Sequence, residues 1–160
     1  MFELKSIAVD DKPALYAELA QQAQGLLHGE RDLIANAANF SALLYYSLPD
    51  VNWAGFYFLK DGELVVGPFQ GKPACVRIAF GKGVCGKVAE QRASIVVPDV
   101  NQFPGHIFCD GASRSEIAVP LLKNGEVLGV LDIDSPKLAR FDQKDRAGLE
   151  QLSKIFLDAV

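Results

Sequence analysis

The chain has 160 residues, 49% hydrophobic and 22% charged, which is enough apolar mass for one globular domain spanning residues 1–160. A formal net charge of −4, with lysines and arginines scattered rather than striped, argues against nucleic acid or an anionic membrane as main partner. No run approaches the ~20 apolar residues of a membrane span. The opening M-F-E-L-K-S-I-A-V-D-D lacks a basic segment followed by an apolar one, so a cytoplasmic protein is expected.

Asp10-Asp11-Lys12-Pro13 predicts a capped helix start, and Leu15, Leu19, Ala23 and Leu27 then recur on one face until His28-Gly29 closes the helix. His28, at that C-terminal end, reads as a capping or solvent residue. A second helix is expected from about Arg31 to Ser47, antiparallel to the first because the turn is short. From Asn52 to Leu59 the texture is that of an aromatic strand. It turns at Asp61-Gly62 and returns over Leu64 to Phe69. Alternation puts Trp53, Gly55, Tyr57 and Leu59 on one face and Ala54, Phe56 and Phe58 on the other. Trp53 and Tyr57 suit a plain core, or a pocket wall where their polar tips find partners.

A Gly- and Pro-rich turn leads to a strand over Cys75 to Phe80, and Gly81-Lys82-Gly83 opens a short helix from about Val84 to Arg92. Cys85 falls in its first turn, where exposed N–H groups favour a thiolate. The phosphate-cradling pattern G-x-x-x-x-G-K-[ST] is absent, so a nucleotide is not the expected ligand of this loop. After a strand over Ser94 to Val97 comes the run from Pro98 to Glu116, too long for an ordinary connection. Its Phe103, Ile107 and Phe108 argue for order, and Cys109-Asp110-Gly111 puts a thiol on what reads as an accessible loop, three positions after His106. A second hairpin, Ile117 to Leu122 and Val127 to Ile133, turns at Asn124-Gly125. Asp132 and Asp134 then point to one side of a strand. They read either as strand-end caps or, with Glu116, as a site for a cationic group. Phe141-Asp142 starts a last helix with Leu149, Leu152, Ile155 and Phe156 as its buried stripe. Hairpins instead of repeated βαβ units predict an α+β domain with a largely antiparallel sheet. The first and last helices should cover one face, with the short helix and the thiol-bearing loops on the other.

The three cysteines, Cys75, Cys85 and Cys109, are an odd count without an export signal. That disfavours a structural disulfide framework and leaves catalytic, redox, metal or simply buried thiols open. Five motifs in order then add a resemblance. G-P-F-Q-G-K-P-A-C at 67–75, F-G-K-G-V-C-G at 80–86, F-P-G-H-I-F-C-D at 103–110, S-E-I at 115–117 and L-D-I-D-S-P at 131–136 resemble the free methionine-(R)-sulfoxide reductases, stand-alone GAF-domain enzymes. Two positions depart from that pattern: Ala79, where proline is common, and Phe108, where a smaller residue is common.

The resemblance implies a GAF-like fold and a thiol chemistry. Cys109 would attack the sulfoxide sulfur of free L-methionine-(R)-sulfoxide, and Cys75 would resolve the resulting sulfenic acid, with Cys85 an auxiliary or alternative resolver. Thioredoxin would reduce the disulfide, and no bound cofactor or metal is implied. Trp53 and Tyr57 would wall the S-methyl group, while Glu116, Asp132 and Asp134 would meet the ammonium. A homodimer through the helical face is also implied. Two other expectations compete: a GAF sensor that binds a small molecule without turnover, and a zinc site built from the three cysteines and His106.

Overall fold

The computed structural model describes residues 1–7 and 10–160. Helices α1 (Lys12–Leu26) and α2 (Leu33–Ser47) lead into strands β1 (Trp53–Lys60), β2 (Glu63–Gly71) and β3 (Arg77–Ala79). Helix α3 (Gly83–Gln91), β4 (Ile95–Val97), a 3-10 turn (Val100–Gln102), β5 (Ser115–Lys123), β6 (Glu126–Ser135) and α4 (Gln143–Asp158) follow. Each long helix starts on an aspartate cap: Asp11 accepts from Ala14 N at 3.1 Å, Asp32 from Ala35 N at 2.8 Å, and Asp142 forms a capping box with Asp145. The Asp32 cap places the start of α2 at Leu33, two residues past the expected Arg31.

The six strands pair antiparallel throughout in the order β3-β2-β1-β6-β5-β4. Both two-residue hairpin turns use the left-handed region, Asp61-Gly62 at φ 51° and 83° and Asn124-Gly125 at 52° and 79°. The α3 segment carries the chain from the β3 edge to the β4 edge across one face of the sheet. The expected α+β architecture is therefore what forms.

Strand alternation divides the interior into two cores. Ala54, Phe56, Phe58, Ile117, Val119, Leu121, Leu131 and Ile133 face the long helices, where Phe40, Phe56 and Phe156 pack ring on ring at 4.7–6.0 Å. Trp53, Tyr57, Ala118 and Val130 face the other way, onto Val84, Cys85, Val88, Val97 and Val100. The first two helices touch, but neither rests mainly on the other. Instead α2 lies on β1 and β2, and α1 packs chiefly on α4. Two features of α4 draw it there. Gly148 leaves room for the Tyr16 ring, which a Cβ would strike at 2.1 Å. Asp145, fully buried, accepts from Tyr16 Oη at 2.9 Å and from Lys12 Nζ at 2.6 Å.

Candidate active site

The face opposite the long helices gathers the chemistry. On β1, Trp53 and Tyr57 stack at 5.9 Å between centroids, and Phe69 from β2 stacks on Trp53 at 5.1 Å. Both polar tips are satisfied: Trp53 Nε1 donates to the Lys72 carbonyl at 3.2 Å and Tyr57 Oη to the Cys75 carbonyl at 3.1 Å. From the central hairpin, Glu116 on β5 lies directly opposite Asp134 on β6, with Asp132 two residues earlier on the same face. Helix α3 brings Cys85 over these carboxyls. The 98–114 segment closes the top with His106, Ile107, Cys109 and Asp110.

That segment is ordered, as its aromatic content predicts. Its ends are tied by Val100 N donating to the Arg114 carbonyl at 2.9 Å and Ala139 N to the Pro98 carbonyl at 2.8 Å. Gly83, at φ +60°, lets the start of α3 approach it; a Cβ there would meet Ile107 at 3.0 Å.

Cys75 and Cys109 are joined as a disulfide, with Cα atoms 5.3 Å apart across 34 residues of chain. The bridge shortens the expected 75–80 strand. Cys75 turns away to reach Cys109, so β3 begins at Arg77. In this disulfide form Cys75 and Cys109 cannot serve as thiolate ligands for a zinc site built from all three cysteines. Cys109 is exposed and Cys75 half-buried, so the bridge sits at the mouth of the pocket.

Cys85 corrects a second expectation. The position at the start of α3 is right, but the thiol is buried, and burial followed by the charges of Asp132, Glu116 and Asp134 pushes its pKa well up. Its Sγ lies 3.9 Å from Glu116 Oε1. The carboxyls are shifted the same way. Burial, then the Asp134 charge, pushes Glu116 up to about 8. Burial and Glu116 raise Asp132, and burial with Asp132 and Asp110 raises Asp134. Acceptor atoms of Cys85, Glu116 and Asp132 fall within 4.8 Å of one another, and Asp132 Oδ1 has no hydrogen-bond partner among the described residues. An ammonium group suits such a set without requiring the thiol to ionise.

Outside the zinc alternative, His106 gains no role from its spacing to Cys109 in the sequence. Its Nε2 lies 3.2 Å from Glu116 Oε2, both side chains are nearly buried, and burial lowers the imidazole pKa. Asp110 and Ser113 also line the pocket and went unremarked as site residues; nothing in their spacing sets them apart. The cavity measures about 40 Å³, more than the ~10–15 Å³ that a single water needs.

An antiparallel six-stranded sheet with long helices on one face and a pocket under a short helix and loops on the other is the architecture of a GAF domain. A GAF domain family model matches residues 41–160. The chain is 51% identical to the free methionine-R-sulfoxide reductase of Escherichia coli over 89% of this chain and 86% of that one. It is 44% identical to the enzyme of that name from Saccharomyces cerevisiae, over 91% and 85%. The crystal structure of free methionine-R-sulfoxide reductase from Neisseria meningitidis in complex with its substrate superposes with a TM-score of 0.95 at 44% identity, covering 99% and 95%. The chain belongs to the free methionine-R-sulfoxide reductase family and is an oxidoreductase.

Proposed function

We propose that the protein reduces free L-methionine-(R)-sulfoxide to methionine in this pocket, with Cys109 as nucleophile. The Cys109 thiolate attacks the sulfoxide sulfur while a protonated carboxyl delivers a proton to the oxygen. The S–O bond then breaks, methionine leaves as the thioether, and Cys109 carries the oxygen as a sulfenic acid. Cys75 attacks that sulfur, the oxygen departs as water, and the disulfide forms. In sum, one sulfoxide and two thiols give one thioether, one disulfide and one water. An external dithiol, which we take to be thioredoxin, restores the thiols by exchange. No bound cofactor enters this balance.

The observation that carries the reading is the Cys75–Cys109 bridge above three buried carboxyls whose pKa values are all raised. Glu116, with a value near neutrality, is the suitable acid. Asp132 and Asp134 then receive the substrate ammonium, which no peptide-bound methionine sulfoxide offers, and such residues would be left unpaired by it. The Trp53–Tyr57 stack provides the wall for the S-methyl group. Cys85, buried beside Glu116, acts as the auxiliary thiol. The same reading has the protein work in a thiol-reducing cytoplasm as a homodimer; the exposed Ile34 and Tyr46 of α2 supply apolar surface for the helical-face contact.

The test is stoichiometric. Reduced wild-type protein given excess free sulfoxide and no reductant should release about one methionine per chain and lose two of its three thiols. Cys75→Ser should release the same first methionine and leave Cys109 trappable by a cyclic 1,3-dione as a sulfenic acid. Methionine release without any loss of thiols would overturn the mechanism.

A further inference from the structure

We propose that His106 is a positioning residue for Glu116, donating from Nε2–H to Oε2 so that the acid proton of Glu116 is confined to Oε1. This rests on the reductase reading above and adds a residue to it. Three observations converge. The Nε2–Oε2 separation is 3.2 Å and both side chains are more than nine-tenths buried. His106 Nδ1 is buried with no hydrogen-bond partner among the described residues. Glu116 Oε1 is the oxygen turned toward Cys85 Sγ, 3.9 Å away, and so toward the interior of the pocket.

The second observation selects the tautomer. Either Nε2 donates and Nδ1 is a bare acceptor, or Nδ1 carries the proton and Nε2 accepts from the carboxyl. An orphaned buried N–H is the rarer and costlier of the two, so the proton belongs on Nε2. Oε2 is then occupied as an acceptor, and a protonated Glu116 holds its proton on Oε1. Burial of the imidazole keeps it neutral, so it offers one donor and no competing charge. His106 also stands three residues before Cys109 on one loop, and Phe108 between them packs edge-on against the imidazole at 4.6 Å. Acid and nucleophile are thereby held in register by a single short segment.

Glu116 is faced by Asp132 and Asp134 from β6, Cys85 from α3, Tyr57 from β1 and His106 from the loop. Of these, His106 is the neutral hydrogen-bond donor to Oε2, and donors to a carboxylate favour its ionised form. Removing it therefore raises the Glu116 pKa further. The basic limb of the pH profile for kcat/KM moves to higher pH in His106→Leu, while kcat falls on the order of 10²-fold because the proton is no longer held at one oxygen. His106→Gln, which retains an N–H donor, recovers most of kcat and returns the limb toward wild type, and KM changes little in either.

Two measurements decide the matter. The first is the ¹⁵N spectrum of the imidazoles in the wild-type disulfide form, with His28→Gln used to assign the two histidines. It needs no turnover, so it stands apart from whether the protein is active. An Nε2–H tautomer for His106 is expected, and an Nδ1–H tautomer overturns the proposal. The second is the pH profile of the two variants. A lowered kcat with an unmoved basic limb in His106→Leu, or no rescue by glutamine, would reduce His106 to a packing residue and overturn it as well. Absence of turnover in wild type would instead sink the reductase reading while leaving the tautomer result intact.

Discussion

Glu116 and Asp134 occupy the same cross-strand position, one on β5 and one on β6, so two carboxyl groups face each other in the sheet beneath the pocket. Like charges placed directly opposite destabilise a sheet, and burial adds to the cost of ionising either. The pair is tolerable because a proton resides there: Glu116 rises from an ordinary 4.5 to about 8.

This makes the site a source of pH-dependent instability. Below pH 4.5 Glu116 is protonated in both folded and unfolded chains, and its contribution is fully present. Between 4.5 and about 8 the unfolded chain ionises while the folded one holds its proton, so stability falls with rising pH. The slope is at most about 1.4 kcal/mol for each pH unit crossed. Glu116→Gln escapes this loss. Its Tm should match wild type near pH 4 and exceed it increasingly towards pH 8, while activity is lost. Thermal melts across that range check it, and a Tm difference that stays flat or reverses with pH would contradict the assignment.

Tyr57 Oη holds the backbone carbonyl of Cys75 at 3.1 Å. Tyr57→Phe removes that tether and keeps the aromatic wall. The first methionine should be released at nearly the wild-type rate, whereas closure of the Cys75–Cys109 bridge should slow by roughly tenfold, the worth of a single hydrogen bond of about 1 kcal/mol or slightly more. Rapid-quench thiol counting separates the two steps. An equal slowing of both would show that the hydroxyl acts on the substrate instead.

Far from the pocket, Asp145 collects Tyr16, Lys12 and Arg140 in a buried cluster that joins α1 to α4. Asp145→Ala leaves the buried Arg140 guanidinium and the Tyr16 hydroxyl without this partner, while Lys12 keeps Asp142 at 2.8 Å, and should cost about 3–5 kcal/mol in urea unfolding. The catalytic constants of the protein that remains folded should be unchanged, since no element of the site rests on α1.

How much of this was legible in the chain depended on whether the signal was local. Alternation sorted Trp53 and Tyr57 from Phe56 and Phe58, and Asp-Gly and Asn-Gly fixed both hairpins, because side-chain period and turn chemistry are written residue by residue. The motifs of the resemblance led to Cys85, Cys109 and three carboxyls, which the fold brings to one pocket, and to Cys75, which is bridged to Cys109. What escaped was set by tertiary surroundings. The start of α3 predicts a thiolate at Cys85, yet burial and three carboxyls from the β5–β6 hairpin reverse the shift. A short turn predicts that α1 pairs with α2, yet the space over Gly148 and the Asp145 cluster draw α1 to α4. His106 offered only a spacing to Cys109; its partner Glu116 is found only when the loop folds over the sheet.

The central claim is that Cys109 is the group that takes oxygen from a free amino-acid sulfoxide. The most direct measurement is methionine release from free L-methionine-(R)-sulfoxide with dithiothreitol as reductant, for wild type and Cys109→Ser side by side. Steady turnover by wild type and none by the variant is the predicted result. Wild-type turnover that survives in Cys109→Ser would contradict it, and would move the chemistry to another thiol of the pocket.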